Sequence, residues 1–365
     1  MKILHLYYRF QMGGAENITV AIIKNDKFNK HLVFVFQGLT DFQRHCQIAH
    51  NINFINLFWT SNSFFRFSNW KSLYQNIKKN KPSLIQSYMF DASQYARIIG
   101  LLLNIPVVIY VVNTYQNKTF KRGLINYLLS FMTAKILVCS DDVRNSVMKF
   151  DRISGKKITI LPSFAIFDFK VDFSTNVRQL FGIKKRDYVL LFIARLTEQK
   201  GIDFLIEAMN ICVNIKSLTS IKLIIVGEGK LRNRFSEKIE ELHLENNIFL
   251  AGEINNLNPY LTQVDMYVDS SLWSGLSVAA IKAMEARLPL VMTDVGGARQ
   301  LTNNGQFGQL CKPRNSRALS LAIELCFKNK IPKNDKSFAY AKKNFSDRIV
   351  TKKIIQIYHK ILDKR

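Results

Sequence analysis

Short runs of branched apolar residues recur along the whole chain, each followed by a polar or glycine turn and then by apolar residues at helical spacing. This alternation constrains the fold more than any other feature. Apolar runs of about four to eight residues are strands buried on both faces. Helices between them cover those faces, so the pattern specifies parallel, doubly wound α/β sheets. In the first half the strand-like runs are 2–7, 31–36, 54–57, 83–87, 107–112, 134–140 and 158–161, with helical patterns at 15–24, 70–79 and 92–103. A second series has strands at 188–194, 222–226, 248–251, 266–269, 290–293 and 307–310, with helices at 201–215, 231–242, 277–286 and 316–327. The stretch 162–175 is irregular, rich in Phe and Asp, and is the expected hinge. Expected are a domain over 1–165, a second over 176–346, and a helix within 347–365 returning toward the first.

A chain of 365 residues is long enough for two cores. Its 48% hydrophobic and 22% charged residues suit a folded, soluble protein. The longest apolar run, 98–112, is interrupted by Gly100, Asn104 and Pro106 and falls short of the roughly 20 residues a membrane span needs. Residues 1–8 are too short an apolar run for a secretory leader. The five cysteines are scattered, with no CxxC pair and no metal spacing, as expected of reduced thiols in a cytoplasmic protein. The net charge of +25 attracts anions: nucleic acid, anionic lipid or phosphorylated substrates. No nucleic-acid-binding signature accompanies it, so nucleic acid is not an expected partner. Lysine enrichment from genome composition is the alternative source of the charge.

The chemistry concentrates at strand ends, where doubly wound sheets bind ligands. Gly13 and Gly14 follow the first strand and open a helix, a place where backbone approaches an anion closely. The loop after the first strand of the second series carries Arg195 and Lys200 before Gly201. A guanidinium fork and an ammonium point charge at one loop suit a diphosphate; two solvated surface cations are the alternative. Gly227-Glu228-Gly229 is a third strand-end turn, where Glu228 can accept from a base or sugar or the glycines can serve the turn alone. Trp273-Ser274-Gly275-Leu276-Ser277 leads into a helix, and Asp294-Val295-Gly296-Gly297 closes the next strand. Each is also compatible with ordinary turn chemistry.

In order and spacing these pieces resemble the retaining glycosyltransferases of family 4, which have the GT-B fold. The matching segments are Gly-Gly-Ala-Glu at 13–16, Ala-Arg-Leu-Thr-Glu-Gln-Lys-Gly at 194–201, Leu-Ile-Glu-Ala-Met at 205–209, Ile-Ile-Val-Gly-Glu-Gly at 224–229, Leu-Trp-Ser-Gly-Leu-Ser at 272–277 and Pro-Leu-Val-Met-Thr-Asp-Val-Gly-Gly at 289–297. The resemblance implies two Rossmann-like domains facing across a cleft. It implies transfer of a sugar from a nucleoside diphosphate donor to a glycan or lipid-linked acceptor, with retention at the anomeric carbon, as in lipopolysaccharide, O-antigen or capsule synthesis. Arg195 and Lys200 match the family's diphosphate-binding pair and would stabilise the leaving phosphate. Donor contacts would come from Gly13, Gly14, Gly227, Glu228, Ile254, Ser274, Gly275, Leu276, Ser277 and position 282. No cofactor and no metal is implied.

The sequence departs from that pattern where the family carries two glutamates eight positions apart. Here these positions are Ser274 and Lys282. A lost carboxylate–hydroxyl bond is worth roughly 1.5–3 kcal/mol, or about tenfold to a hundredfold in donor affinity. Lys282 can pair with Glu285 one turn on, or meet an extra anionic group on an unusual donor. A non-catalytic relative acting as a partner or glycan-binding subunit is therefore the second reading. The glycine before the Arg-Leu pair is Ala194, an Asn-Gly turn is replaced by Ser163-Phe164, and a histidine after the Pro-Val-Val strand is absent, leaving Asn113 nearby. On the acceptor side, segments 64–71 and 118–122 interleave aromatics with cations, among them Lys118, Lys121 and Arg122. Such composition suits an anionic headgroup surface as well as core aromatics with flanking charge. A peripheral position on the inner membrane face is the corresponding expectation.

Overall fold

The computed structural model describes residues 1–10, 14–38, 40–50, 52–59, 66–111 and 120–364. The chain forms two compact units: Met1–Ile166 with Phe345–Arg365, and Phe167–Asn344. In the first, strands alternate with helices as β1 Lys2–Tyr7, α1 Gly14–Asn25, β2 Lys30–Val35, α2 Asp41–His50, β3 Phe54–Asn56, α3 Phe67–Asn80, β4 Leu84–Tyr88, α4 Phe90–Leu102, β5 Val107–Val111, α5 Phe120–Leu128, β6 Lys135–Val138, α6 Asp141–Asp151 and β7 Ile158–Ile160. The sheet is parallel throughout, in the order β3-β2-β1-β4-β5-β6-β7. Strand order reverses between β1 and β4, where Ile3 registers with Leu84.

The second unit runs α7 Val177–Leu180, β8 Tyr188–Ile193, α8 Ile202–Asn210, β9 Ile221–Val226, α9 Arg232–Glu241, β10 Ile248–Gly252, α10 Asn258–Gln263, β11 Met266–Asp269, α11 Val278–Glu285, β12 Leu290–Thr293, α12 Ala298–Leu301, β13 Gln309–Cys311, α13 Ser316–Lys328 and α14 Asp335–Phe345. Its parallel sheet has the order β10-β9-β8-β11-β12-β13, reversing between β8 and β11. Strands β8, β9 and β11 supply Leu190, Phe192, Leu223, Ile225 and Val268 to one core, with α8 and α13 closing over it through Leu205, Met209, Leu319 and Ile323. The expected pair of doubly wound parallel sheets is therefore what the chain forms.

Two sequence expectations are corrected. The strand at 307–310 is Gln309–Cys311: the Phe307 amide donates to the Thr302 carbonyl at 2.8 Å, closing the turn after α12. The helix at 201–215 begins after Gly201, which stands at φ 59°, and its last turn, Ile211–Ile215, is π-helical. From the sequence, helices are expected between the strands, without bounds for α2, α5, α6, α7, α10, α12 and α14.

A last helix, α15 Asp347–Leu362, belongs to the first unit. Tyr358 donates to the Gln86 side chain inside the sheet, and Asn25 donates to Asp347 at 2.6 Å. The same core holds a buried chain of imidazoles. His5 Nε2 lies 3.0 Å from His31 Nδ1, and His31 Nε2 lies 3.2 Å from Asp26. Burial pushes His5 well below its ordinary value, the neighbouring His31 adding to the effect. Burial also lowers His31, opposed by Asp26. Both rings therefore bind a proton less readily folded than unfolded, and unfolding in mild acid takes up protons. Folding stability is complete above the unfolded histidine value of about 6.5 and declines as pH falls below it, by up to about 1.4 kcal/mol per pH unit for each proton taken up. Urea midpoints measured from pH 7.5 to 5 should decrease; a flat profile contradicts this account.

Candidate functional site

The loops at the carboxyl ends of the second unit's strands are bonded to one another at the point where strand order reverses, the position at which such sheets hold ligands. The β8 loop is tied to the β9 loop by Leu196 N donating to Glu228 O at 2.9 Å and Leu231 N to Leu196 O at 3.3 Å. The β8 and β11 loops are joined by Leu272 N to Gln199 O at 2.8 Å, Gln199 Nε2 to Trp273 O at 3.0 Å and Ser270 Oγ to Lys200 O at 2.9 Å. The β11 and β12 loops meet through Gly297 N and Gly275 O at 2.5 Å. Gly227, at φ 134°, passes so close to the β8 loop that a Cβ there would overlap the Ala194 carbonyl. A Cβ on Gly229 would lie 2.7 Å from the Leu196 nitrogen. The two glycines thus let the β8 and β9 loops approach as bare backbone.

Arg195 and Lys200 stand on this frame, the first exposed and the second half-buried. Among the described residues neither side chain has a hydrogen-bond or ion-pair partner. Some other cations of the unit are paired, Arg178 with Asp265 at 2.9 Å, Arg232 with Glu228 at 2.7 Å, Lys238 with Glu207 at 2.7 Å, and Arg299 with Asp294; Lys185, Arg186 and Arg314 have no such partner among the described residues either, so position on the strand-end loop is what sets Arg195 and Lys200 apart. A guanidinium and an ammonium on one strand-end loop suit an anion. Glu228, by contrast, is engaged by Arg232. Ile254 is half-buried in the segment after β10.

The segment 274–282 is organised by a buried carboxylate that carried no signal in the sequence. Asp269, 3% exposed at the end of β11, accepts from Ser271 N at 3.0 Å, Ser271 Oγ at 2.5 Å and Ser277 Oγ at 3.0 Å. Ser277 caps α11, its Oγ accepting from Ala280 N at 3.3 Å. Leu276 is buried beside Gly297, while Ser274 is half-buried near the turn. Lys282 does not stand free. It pairs with Glu285 at 3.0 Å and with Asp168. Glu285 also accepts from Phe169 N at 2.6 Å and is raised by burial, with Lys282 opposing the rise. The lysine therefore compensates a carboxylate whose side chain is only 5% exposed; without it that charge would be buried without its ammonium partner, which is costly.

In the first unit, Gly13, Asn113, Lys118 and residues 64 and 65 lie outside the described residues. Gly14 opens α1, whose Ala15 carbonyl accepts from the Tyr7 hydroxyl at 2.8 Å, and the Tyr7 and Tyr88 rings stack at 4.6 Å. Lys121 and Arg122 are exposed on α5, the Arg122 guanidinium lying 5.0 Å from the Phe90 ring centroid. Met89, just after β4, was not singled out by sequence. It adopts φ 64°, ψ 166°, a conformation rare outside glycine, and is 53% exposed. Strain of this kind gathers at ligand sites. A cavity of about 140 Å³ opens beside it, lined by Phe90, Arg97, Tyr110, Asn126 and Asp151 among others.

Residues 12–165 match the family model described as Glycosyltransferase Family 4, and residues 173–345 match Glycosyl transferases group 1. An uncharacterised glycosyltransferase of Methanocaldococcus jannaschii is 30% identical over 58% of this chain, which spans only about half (52%) of that relative's length. The Campylobacter jejuni N-acetylgalactosamine-N,N'-diacetylbacillosaminyl-diphospho-undecaprenol 4-alpha-N-acetylgalactosaminyltransferase is 25% identical over 91% of this chain and 94% of its own. The crystal structure of Anabaena Alr3699/HepE in complex with UDP superposes with a TM-score of 0.86 at 19% identity, covering 99% of this chain and 100% of that one. Each half of the sequence meets its own model, and the two sheets together meet a single two-domain fold. The chain belongs to the glycosyl transferases of group 1, with the GT-B fold.

Proposed function

We propose that this protein transfers a sugar from a nucleoside diphosphate donor to a glycan or lipid-linked acceptor, with retention at the anomeric carbon, in the synthesis of a surface polysaccharide. One observation carries the reading: Arg195 and Lys200 stand on the loop at the reversal point of the second sheet, with no side-chain partner among the described residues. As the glycosidic bond breaks, negative charge grows on the departing diphosphate. Cations already in place and not engaged elsewhere stabilise that charge without reorganising. The reading needs no metal, because these side chains supply the compensating charge. Gly227 and Gly275 give the donor access to bare backbone, and Ile254 offers an apolar edge to the base. The acceptor falls to the first unit, near Lys121 and Arg122. Relatives acting on diphospho-undecaprenol-linked sugars support the lipid-linked class and a peripheral place at the cytoplasmic membrane face. Among the described residues, no helix is long and apolar enough to cross a membrane.

A second reading is favoured by Lys282. Its pairing with Asp168 and Glu285 argues for a structural role at position 282 in place of ribose recognition, and Ser274 offers a hydroxyl where the family has a carboxylate. A protein that binds a nucleotide yet serves as a partner subunit fits those two positions. Isothermal calorimetry with UDP, GDP and ADP, followed by their sugars, separates the readings. Binding with turnover on a lipid-linked acceptor supports the transferase, binding with no turnover supports the subunit, and no binding to any of them defeats both.

A further inference from the structure

The cavity of about 140 Å³ beside Met89 has a mouth, an apolar wall and a polar wall. Of its lining residues only Met89, Phe90 and Val111 are not buried, so they frame the mouth. They stand at the carboxyl ends of β4 and β5, the edge on which open parallel sheets hold ligands. The Met89 carbonyl accepts from Ser93 Oγ at 2.6 Å, and Ser93 accepts from Ser87 Oγ at 3.1 Å. These bonds hold Met89 at φ 64°, ψ 166°, a strain that persists only where the surroundings impose it. The Arg122 guanidinium packs over Phe90 on the other lip. Inside, Ile109, Val147 and Ile153 make one wall aliphatic, while Arg97, Asn126 and Asp151, all buried, make the other polar. Asn126 accepts from Arg97 at 2.8 Å and donates to Asp151 at 3.1 Å, and Arg97 also donates to Thr133 at 3.0 Å. The polar wall is therefore fixed before anything enters. A guanidinium and a carboxylate each have capacity for further partners. Unfilled space in a close-packed core is costly, and a polar cavity of this size does not stay dry.

We infer that this cavity receives the acetamido group of an N-acetylated acceptor sugar. The amide carbonyl accepts from Arg97, the amide N–H donates to Asp151, and the methyl group packs against Ile109, Val147 and Ile153. Size comes first in the argument. A cavity of about 150 Å³ holds a benzene ring, so this one takes a substituent and excludes a whole pyranose. Charge comes second. Arg97 and Asp151 are the charged residues of the lining, and their charges offset each other. A neutral group is favoured, because a phosphate or carboxylate would meet the Asp151 charge away from water. Wall chemistry comes third. A hydroxyl bonds to the polar wall yet leaves the aliphatic wall uncovered, and an alkyl group does the reverse. An amide with a methyl end satisfies both. The inference rests on the transferase reading and deepens it, naming the feature by which the first unit selects its acceptor. Sugar binding requires neither donor nor turnover, so the pocket is tested separately from that reading.

The probes are methyl N-acetylglucosaminide and methyl glucoside, each titrated into the full chain carrying isotope-labelled isoleucine and valine methyl groups. The acetamido sugar should bind about tenfold to a hundredfold more tightly, since only it fills the cavity. Its chemical-shift changes should centre on Ile109, Val147 and Ile153. Val111→Phe narrows the mouth from a half-buried position and should weaken acetamido-sugar binding about tenfold with an unchanged thermal midpoint. Equal affinity for the two sugars, or binding of neither, overturns the inference. So do shift changes that bypass those three residues, or a Val111→Phe variant that binds as wild type does. Should Val111→Phe melt early, the wild-type affinities and shift pattern decide alone. Transfer is then assayed on lipid diphosphate acceptors ending in N-acetylglucosamine or in glucose, with about a tenfold preference in kcat/KM expected for the first. Equal turnover on both overturns the pocket and leaves the transferase reading standing. Selective sugar binding with no turnover on either upholds the pocket as a sugar-substituent site and defeats the transferase reading.

Discussion

Replacing Arg195 by alanine should lower kcat/KM for the nucleotide-sugar donor by about 10²–10³, the effect of removing one preorganised donor aimed at developing charge. The thermal midpoint should stay within a degree or two of wild type. These two results belong together. The Arg195 side chain has no partner among the described residues, so folding does not depend on it. Whatever it stabilises arrives from outside. Affinity for the free nucleoside diphosphate should fall about tenfold to a hundredfold, the equivalent of one charge-assisted bond of roughly 1.5–3 kcal/mol. Arg195→Lys should recover only part of the loss, because an ammonium cannot present the two-pronged geometry that a diphosphate accepts. Steady-state kinetics and calorimetry on the same preparations check both. Unaltered donor affinity in Arg195→Ala would remove the chief support for the diphosphate site.

The second large effect is on stability. Gly227→Ala should destabilise the protein by about 3–5 kcal/mol, the sum of a strained backbone conformation and a core-like overlap. For a unit of this size that is on the order of 10 °C in midpoint. The new methyl group would meet the Ala194 carbonyl and approach Arg195 N at 3.6 Å. Both neighbours are backbone, held by the Ala194 N to Val226 O bond at 3.0 Å, so neither can swing aside. Gly182→Ala is the control. Gly182 also has a positive φ, 63°, yet nothing lies within 4 Å of the added carbon. It should cost only about 1–2 kcal/mol, the backbone term alone. Differential scanning calorimetry of the two variants reads the difference. Equal midpoints would show that close approach of the β8 and β9 loops is not what position 227 requires.

Sequence reasoning reached the sheets because strands buried on both faces leave continuous apolar runs: 2–7, 188–193 and 266–269 were readable almost residue by residue. It reached the strand-end glycines because close backbone approach excludes side chains. The bounds of α5 were less legible for the opposite reason: Gly123 and Asn126 are its buried positions while Leu124 and Leu128 are exposed, so it lacks the usual phase relation to a core. Asp269 was also invisible, since its role rests on serines two and eight positions away that converge only when the β11 loop folds back. Met89 was missed because nothing in a methionine announces a positive φ. The pairing of Lys282 with Glu285 was legible from one-turn spacing, but Asp168, more than a hundred positions away, was not.

The placement of α15 fixes an order of events during synthesis. The first unit needs residues 345–365, while the second is complete at Asn344. On the ribosome, then, the part made later can finish first, and the part made earlier must wait with the Asn25 and Gln86 side chains lacking their α15 partners until Asp347 and Tyr358 emerge. A nascent chain stalled before α15 presents one body with all of its residues and one that still lacks its last helix.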